Sequence, residues 1–244
     1  MSVLEAAFWG FVGGGALVLG AVAGIWLRPS QRVIGLIMAF GAGVLISALA
    51  FELTEQAFEI GGADSVAAGL GAGALTFFLG DWAIDARGGN DRKRSGGQQA
   101  AGSAGAIVLG AVLDGIPESA AIGLTLLEGG GVSVAVVAAV FLSNIPESLS
   151  AATGLRVAGH SPGWILRLWI GVTIVSAIAA ALGYGLLGDA SPDLVGFTQA
   201  FAAGAVLTML ADTMMPEGFE HGGRAAGLLT VLGFSLAFLI SSTA

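Results

Sequence analysis

The chain has 244 residues, a formal net charge of −8 and no cysteine, and apolar residues fill 55% of its positions against 11% charged. Several apolar runs approach the roughly 20 residues that a bilayer-crossing helix needs, which excludes a soluble domain. The missing cysteine excludes disulfides and thiolate metal sites, and the acidic balance offers nothing to a nucleic acid.

Taken in chain order, the first apolar run follows Met1-Ser-Val-Leu-Glu5 with no basic stretch ahead of it, so a retained helix over 4–27 is expected rather than a cleaved signal. A second helix is expected over 31–57 and a third over 64–86. The segment from Arg87 to Ala100 is polar, basic and Gly-rich, and reads as a flexible cytoplasmic loop over about 87–101. Further helices are expected over 102–127, 131–158, 162–188, 193–217 and 223–243. The 41 glycines lie mostly inside these runs, where they let helices approach closely. The whole chain, 1–244, therefore reads as one all-α, multi-pass membrane domain of eight helices.

Basic residues orient it. Arg28 and Arg32, then Arg87, Arg92, Lys93 and Arg94, then Arg156 and Arg167, and finally Arg224 all fall at odd-numbered connections. By the positive-inside rule these face the cytoplasm, both termini face outward, and the membrane is the cytoplasmic one. The other connections carry Glu59, Asp64, Glu128, Asp189 and Asp193. An acidic outer vestibule that concentrates cations and a set of ordinary acidic loops are equally good readings of them.

An internal repeat appears when Phe40-Gly-Ala-Gly-Val-Leu-Ile-Ser-Ala-Leu-Ala50 is laid over Phe201-Ala-Ala-Gly-Ala-Val-Leu-Thr-Met-Leu-Ala211, continuing to Phe58-Glu59 against Phe219-Glu220. The second and seventh helices run oppositely across the membrane, so the repeats are inverted. With a central pair between them this gives a 3+2+3 plan, the signature of transporters with a site near the midplane.

That central pair carries Leu113-Asp-Gly-Ile-Pro-Glu-Ser119 and Leu142-Ser-Asn-Ile-Pro-Glu-Ser148. Asp114 and Glu118 are four residues apart and share a helix face, and Ser143, Asn144 and Glu147 fall within one turn of the next helix. Ionisable groups inside apolar segments are costly and mark function by default. Three close carboxylates repel one another unless a cation neutralises them. Pro117 and Pro146 each free the carbonyl four residues earlier, at Leu113 and Leu142, for an ion or water. A kink with Ser and Asn as interhelical glue suits Ser119, Ser148 and Ser150, but leaves the three acids unexplained.

Asp81 and Asp85 end the third helix, Asp212, Glu217 and Glu220 end the seventh, and Glu52 and Glu55 sit at the outer end of the second. They read either as inlet and exit relays or as solvated helix ends, the latter fitting Asp85, Glu59 and Glu220 better. His160 and His221 read as solvated rather than ligating, and Met209, Met214 and Met215, which could touch a metal, read rather as core packing.

These Pro-Glu pairs, the Phe-x-Ala-Gly openings and Met215-Pro216-Glu217 resemble the ZIP (Zrt/Irt-like) family of divalent metal transporters, in a divergent bacterial or archaeal form. The resemblance implies eight helices in the 3+2+3 arrangement, a homodimer, and movement of zinc, iron, manganese or a similar ion towards the cytosol through a site between the fourth and fifth helices. It implies no enzyme activity and no organic cofactor; the metal is the substrate and the bilayer the remaining partner. Asp114-Gly115 replaces the family's usual His-Asn, Asp212-Thr213 holds one ligand where the family has two, and the sixth helix (Trp169 to Leu182) lacks a carboxylate. One metal rather than two is therefore expected, held by oxygens of Asp114, Glu118, Glu147, Asn144 and Ser143. Such a set suits manganese, magnesium or calcium better than zinc.

Two competing readings remain. Leu79-Gly80-Asp81 faintly matches the Gly-x-Gly-Asp element of intramembrane aspartyl proteases, without the first glycine. A ZIP-like chain that has lost transport and serves as a sensor, a structural subunit or a conduit for another solute would also tolerate the substituted ligands.

Overall fold

The computed structural model describes residues 2–128 and 131–243, apart from the Glu128 side chain, so that acid of the expected outer face lies outside the described residues, as do Met1 and Ala244. Among the described residues all regular structure is helical. The α-helices are α1 (Val3–Trp26), α2 (Gln31–Ala48), α3 (Glu55–Asp85), α4 (Ala104–Thr125), α5 (Val134–Val157), α6 (Pro162–Leu187), α7 (Pro192–Met209), α8 (Met215–Gly222) and α9 (Ala225–Ser241).

Serine sets most of their starts. Ser2, Ser30, Ser103, Ser133, Ser161 and Ser191 each precede a helix, and each hydroxyl accepts a hydrogen bond from an N–H of the first turn. Pro162 and Pro192 then occupy the first helical position, where a missing N–H costs nothing.

Among the described residues six helical stretches are long and apolar enough to cross a membrane, and Ala225–Ser241 is apolar but shorter. One of the six, Gln31–Asp85, has 55 residues. At 1.5 Å per residue it would span roughly 80 Å, far beyond a bilayer core of about 30 Å. It is broken at Gly62, where φ 72° and ψ 179° turn the chain in a conformation that only glycine adopts readily. The connection expected over residues 58–63 is thus one non-helical residue, and Glu59 lies in helix. Large apolar side chains such as Leu4, Phe8, Leu186 and Leu228 remain exposed on the rim, as lipid-facing residues do.

The sequence repeat has a backbone counterpart. A π-helical stretch, Leu49–Thr54, follows α2, and another, Leu210–Met214, follows α7 at the matching positions. Gly62 ends one copy and Gly223, with φ 58°, the other. Gly35 lies against His221 and Gly222 while Gly218 lies against Ala39, so α2 and α8 run antiparallel.

Helix α1 packs between α5 and α6, α3 runs along α7, and α2 lies against α5, α8 and α9. Met38, Leu45, Val140, Val206, Met209 and Met214 fill the core where α2, α5 and α7 meet, so the methionines expected to pack do so.

The expectation of a flexible loop over 87–101 is corrected. Its first residues turn back at Gly88 and Gly89, and the segment enters the bundle, burying Arg92, Lys93, Ser95 and Gln99 to 4% exposure or less. Composition misled here, because a basic Gly-rich stretch is normally solvated, whereas buried acids require cations to come to them.

Candidate metal centre

Helices α4 and α5 each continue through an internal proline, Pro117 and Pro146, and each carries its acids on the inward face. Asp114, Glu118 and Glu147 are 0%, 2% and 3% exposed. Ser143 and Asn144 are buried beside them on α5. The Ser143 hydroxyl donates to the Val140 carbonyl at 3.0 Å, and the Asn144 Nδ2 donates to the Gly13 carbonyl of α1 at 3.0 Å, tying α5 to α1. Glu118 Oε1 is buried and accepts no hydrogen bond.

Two cations reach this cluster from the connecting segment. The Arg92 guanidinium forks onto Asp114, with Nε 2.8 Å from Oδ2 and Nη2 2.9 Å from Oδ1, and Nη2 also donates to Asp81 Oδ1 at 2.5 Å. Burial alone would lower the Arg92 pKa, but the charges and hydrogen bonds of Asp114 and Asp81 outweigh it and hold the guanidinium above its ordinary range. Lys93 Nζ lies 3.4 Å from Asp114 and 3.2 Å from Glu147, within ion-pair reach of both but aligned as a hydrogen bond to neither.

A second acidic group gathers at the end of α8. Glu217, wholly buried, accepts from the Ser95 N–H at 2.9 Å and the Ser95 hydroxyl at 2.5 Å, and Arg94 bridges it at 3.3 Å to Glu220. His221 Nε2 is 3.5 Å from Glu217. Among the described residues, Glu217, Glu220 and His221 form the group of three whose possible ligand atoms all lie within 4.8 Å of one another, and Asp114, Glu118 and Glu147 are not drawn together so tightly. His221 is thus not the solvated side chain expected, since only 14% of it is exposed.

The other residues singled out in the sequence are dispersed. Asp81 is joined to the centre through Arg92, with Asp85 at 3.5 Å from the same guanidinium. Asp212 is exposed, with Asp81 and Arg92 as charged neighbours. Glu52 is buried at the opposite end of the bundle, accepting hydrogen bonds from Ser133 and Ser241, while Glu55 is exposed.

The residues that sequence reasoning missed are Arg92, Lys93, Arg94 and Ser95. The available signal was three consecutive basic residues bracketed by Gly88-Gly89 and Gly96-Gly97, in a chain with unpaired acids in its apolar segments.

No protein-family profile matches this sequence. Over 224 residues, 91% of the chain, it is 27% identical to an Arabidopsis thaliana protein named for zinc transport. The chain spans 36% of that relative's length.

Proposed function

We propose that this chain is a ZIP-like transporter of divalent metal cations, moving zinc, manganese, iron or a similar ion across the cytoplasmic membrane towards the cytosol by alternating access. The observation that carries this reading is the burial of Asp114, Glu118 and Glu147, from two proline-containing helices, in one bundle interior. Ionised carboxylates in such a place need a counter-cation. The unpartnered Glu118 oxygen supplies an acceptor that no protein donor uses. Similarity to a plant protein named for zinc transport over nearly the whole chain supports the same reading.

In this scheme the cargo is partly dehydrated, held by one mononuclear set of oxygens, and released past Asp81 and Asp212 towards the basic end of the bundle. All the central ligands are oxygens, so the site favours a hard ion such as manganese over zinc. An aspartyl-protease reading fits poorly, because Asp81 and Asp114 share a guanidinium where a protease dyad shares a proton. The reading in which transport has been lost draws on one observation, the presence of Arg92 and Lys93 on the central acids.

Uptake of manganese and zinc into proteoliposomes tests the proposal. The wild-type chain carries metal inward, and Glu118→Gln or Glu147→Gln, folded normally, abolishes the flux. Unchanged uptake in both variants would remove the site from the mechanism.

A further inference from the structure

We propose that the segment from Gly89 to Gly96 is a tethered counter-ion, whose Arg92 and Lys93 hold the central carboxylates when no cargo is bound and which a divalent cation must displace. This rests on the metal reading above and adds to it a device that couples occupancy of the site to the position of the connecting segment.

The charges match. Arg92 and Lys93 bring two positive charges onto Asp114, Asp81 and Glu147, the same charge that one divalent cation would bring. Both cannot occupy the carboxylates together, because Asp114 would face a guanidinium, an ammonium and a metal ion in a site of low dielectric.

The receptacle is built for this segment. A Cβ on Gly110 of α4 would overlap the Arg92 side chain, and a Cβ on Gly154 of α5 would overlap the Arg94 carbonyl. The Ser150 hydroxyl donates to the Lys93 carbonyl at 2.7 Å, and the Gln99 amide donates to the Arg94 carbonyl. Each end also has a pivot, because Gly88 and Gly97 adopt φ 89° and 88°. Gly88 is anchored through its carbonyl to the Ser103 N–H at 3.3 Å, so the segment can leave while that end holds.

The docking is incomplete where a permanent structural ion pair would be complete. Lys93 Nζ has no aligned hydrogen bond, and Glu118 Oε1 and Asp85 Oδ1 accept none. Four acids, Asp81, Asp114, Glu118 and Glu147, outnumber the two cations. The segment also brings Arg94 and Ser95 onto Glu217, so its departure frees the second acidic group, with Glu220 and His221, at the same moment. Central site and exit group would open together.

The chain has no cysteine, so Ser95→Cys places a single thiol at a position 2% exposed. Without metal it reacts slowly with a water-soluble maleimide, and saturating manganese or zinc accelerates labelling by about tenfold or more. Limited trypsin treatment of the unaltered protein reads the same movement. Arg87 is exposed and cut throughout, whereas cleavage after Arg92 and Lys93 needs metal. Gly154→Ala, which touches no carboxylate, undocks the segment. It speeds labelling without metal and tightens manganese binding by up to the factor by which docking is weakened, as reciprocal linkage requires. If equilibrium dialysis shows metal bound while labelling and cleavage are unchanged, the segment is a fixed structural element, and the counter-ion proposal falls with the metal reading intact. If neither the unaltered protein nor Gly154→Ala binds metal, the metal reading fails and this proposal with it.

Discussion

Replacing Arg92 by methionine removes the cation at the centre of the network while keeping an unbranched side chain in its slot. The Arg92 side chain is 3% exposed, its Asp114 partner 0% and its Asp81 partner 12%. The change leaves Asp114 with Lys93 as its remaining cation and deprives Asp81 of its ion pair. Removing one partner of a buried pair costs roughly 3–5 kcal/mol, because the orphaned carboxylate keeps its desolvation penalty and loses its counter-charge. Water reaching Asp81 and the nearby ammonium place this case towards the lower end of that range. Denaturation in detergent, followed by tryptophan fluorescence, measures it, since Trp169 lines the same cavity as Arg92, Lys93 and Asp114. Adding Asp114→Asn to Arg92→Met restores part of the loss, since Asp81 stays without its cation, and the double-mutant cycle isolates the Arg92–Asp114 pair. Manganese at about a hundredfold over its dissociation constant returns about 2.7 kcal/mol to Arg92→Met by binding the folded state alone. An Arg92→Met protein as stable as the wild type, or a loss that Asp114→Asn leaves untouched, would refute the reasoning.

Three further outcomes are expected. On α3, Gly73→Ala would drive a Cβ into the Phe201 carbonyl of α7 and costs roughly 1–3 kcal/mol. Gly71→Ala, which meets open space, is neutral or stabilises by up to about 1 kcal/mol, and equal thermal shifts for the two would contradict the α3–α7 packing. Asn144→Ala removes the donor to Gly13 and lowers stability by roughly 1 kcal/mol. If Asn144 also offers its oxygen to the cargo, manganese affinity falls as well, and a stability loss alone assigns it to packing. Asp114→His supplies an imidazole and moves uptake preference towards zinc in paired competition assays; an unchanged ratio would show that Asp114 does not set selectivity.

Much of the fold was legible because hydropathy and punctuation agree. Runs of apolar residues gave the helices to within a few residues, and the Ser-Pro pairs at 161–162 and 191–192 mark two starts. The repeat that joins Phe40 to Phe201 reappears as paired π-helical stretches and paired positive-φ glycines. The acids of the two Pro-Glu motifs were legible as buried, since each falls well inside an apolar run. Their partners were not. Periodicity reports which face of a helix is inward, but a segment without periodicity carries no sign of where it packs, and Arg92 reaches Asp114 across 22 residues of sequence. Counting charges would have helped: three acids in apolar helices require a cation, and three adjacent basic residues wait in the next segment. His221 was misread for a related reason, because its burial depends on Gly35 of α2 packing beside it, a tertiary contact.

Anomalous scattering from manganese-loaded protein would test the central claim most directly. The account predicts one peak between α4 and α5, within coordination distance of Asp114, Glu118 and Glu147, with the Lys93 ammonium withdrawn. A peak confined to Glu217, Glu220 and His221, or none at saturating manganese, would contradict it.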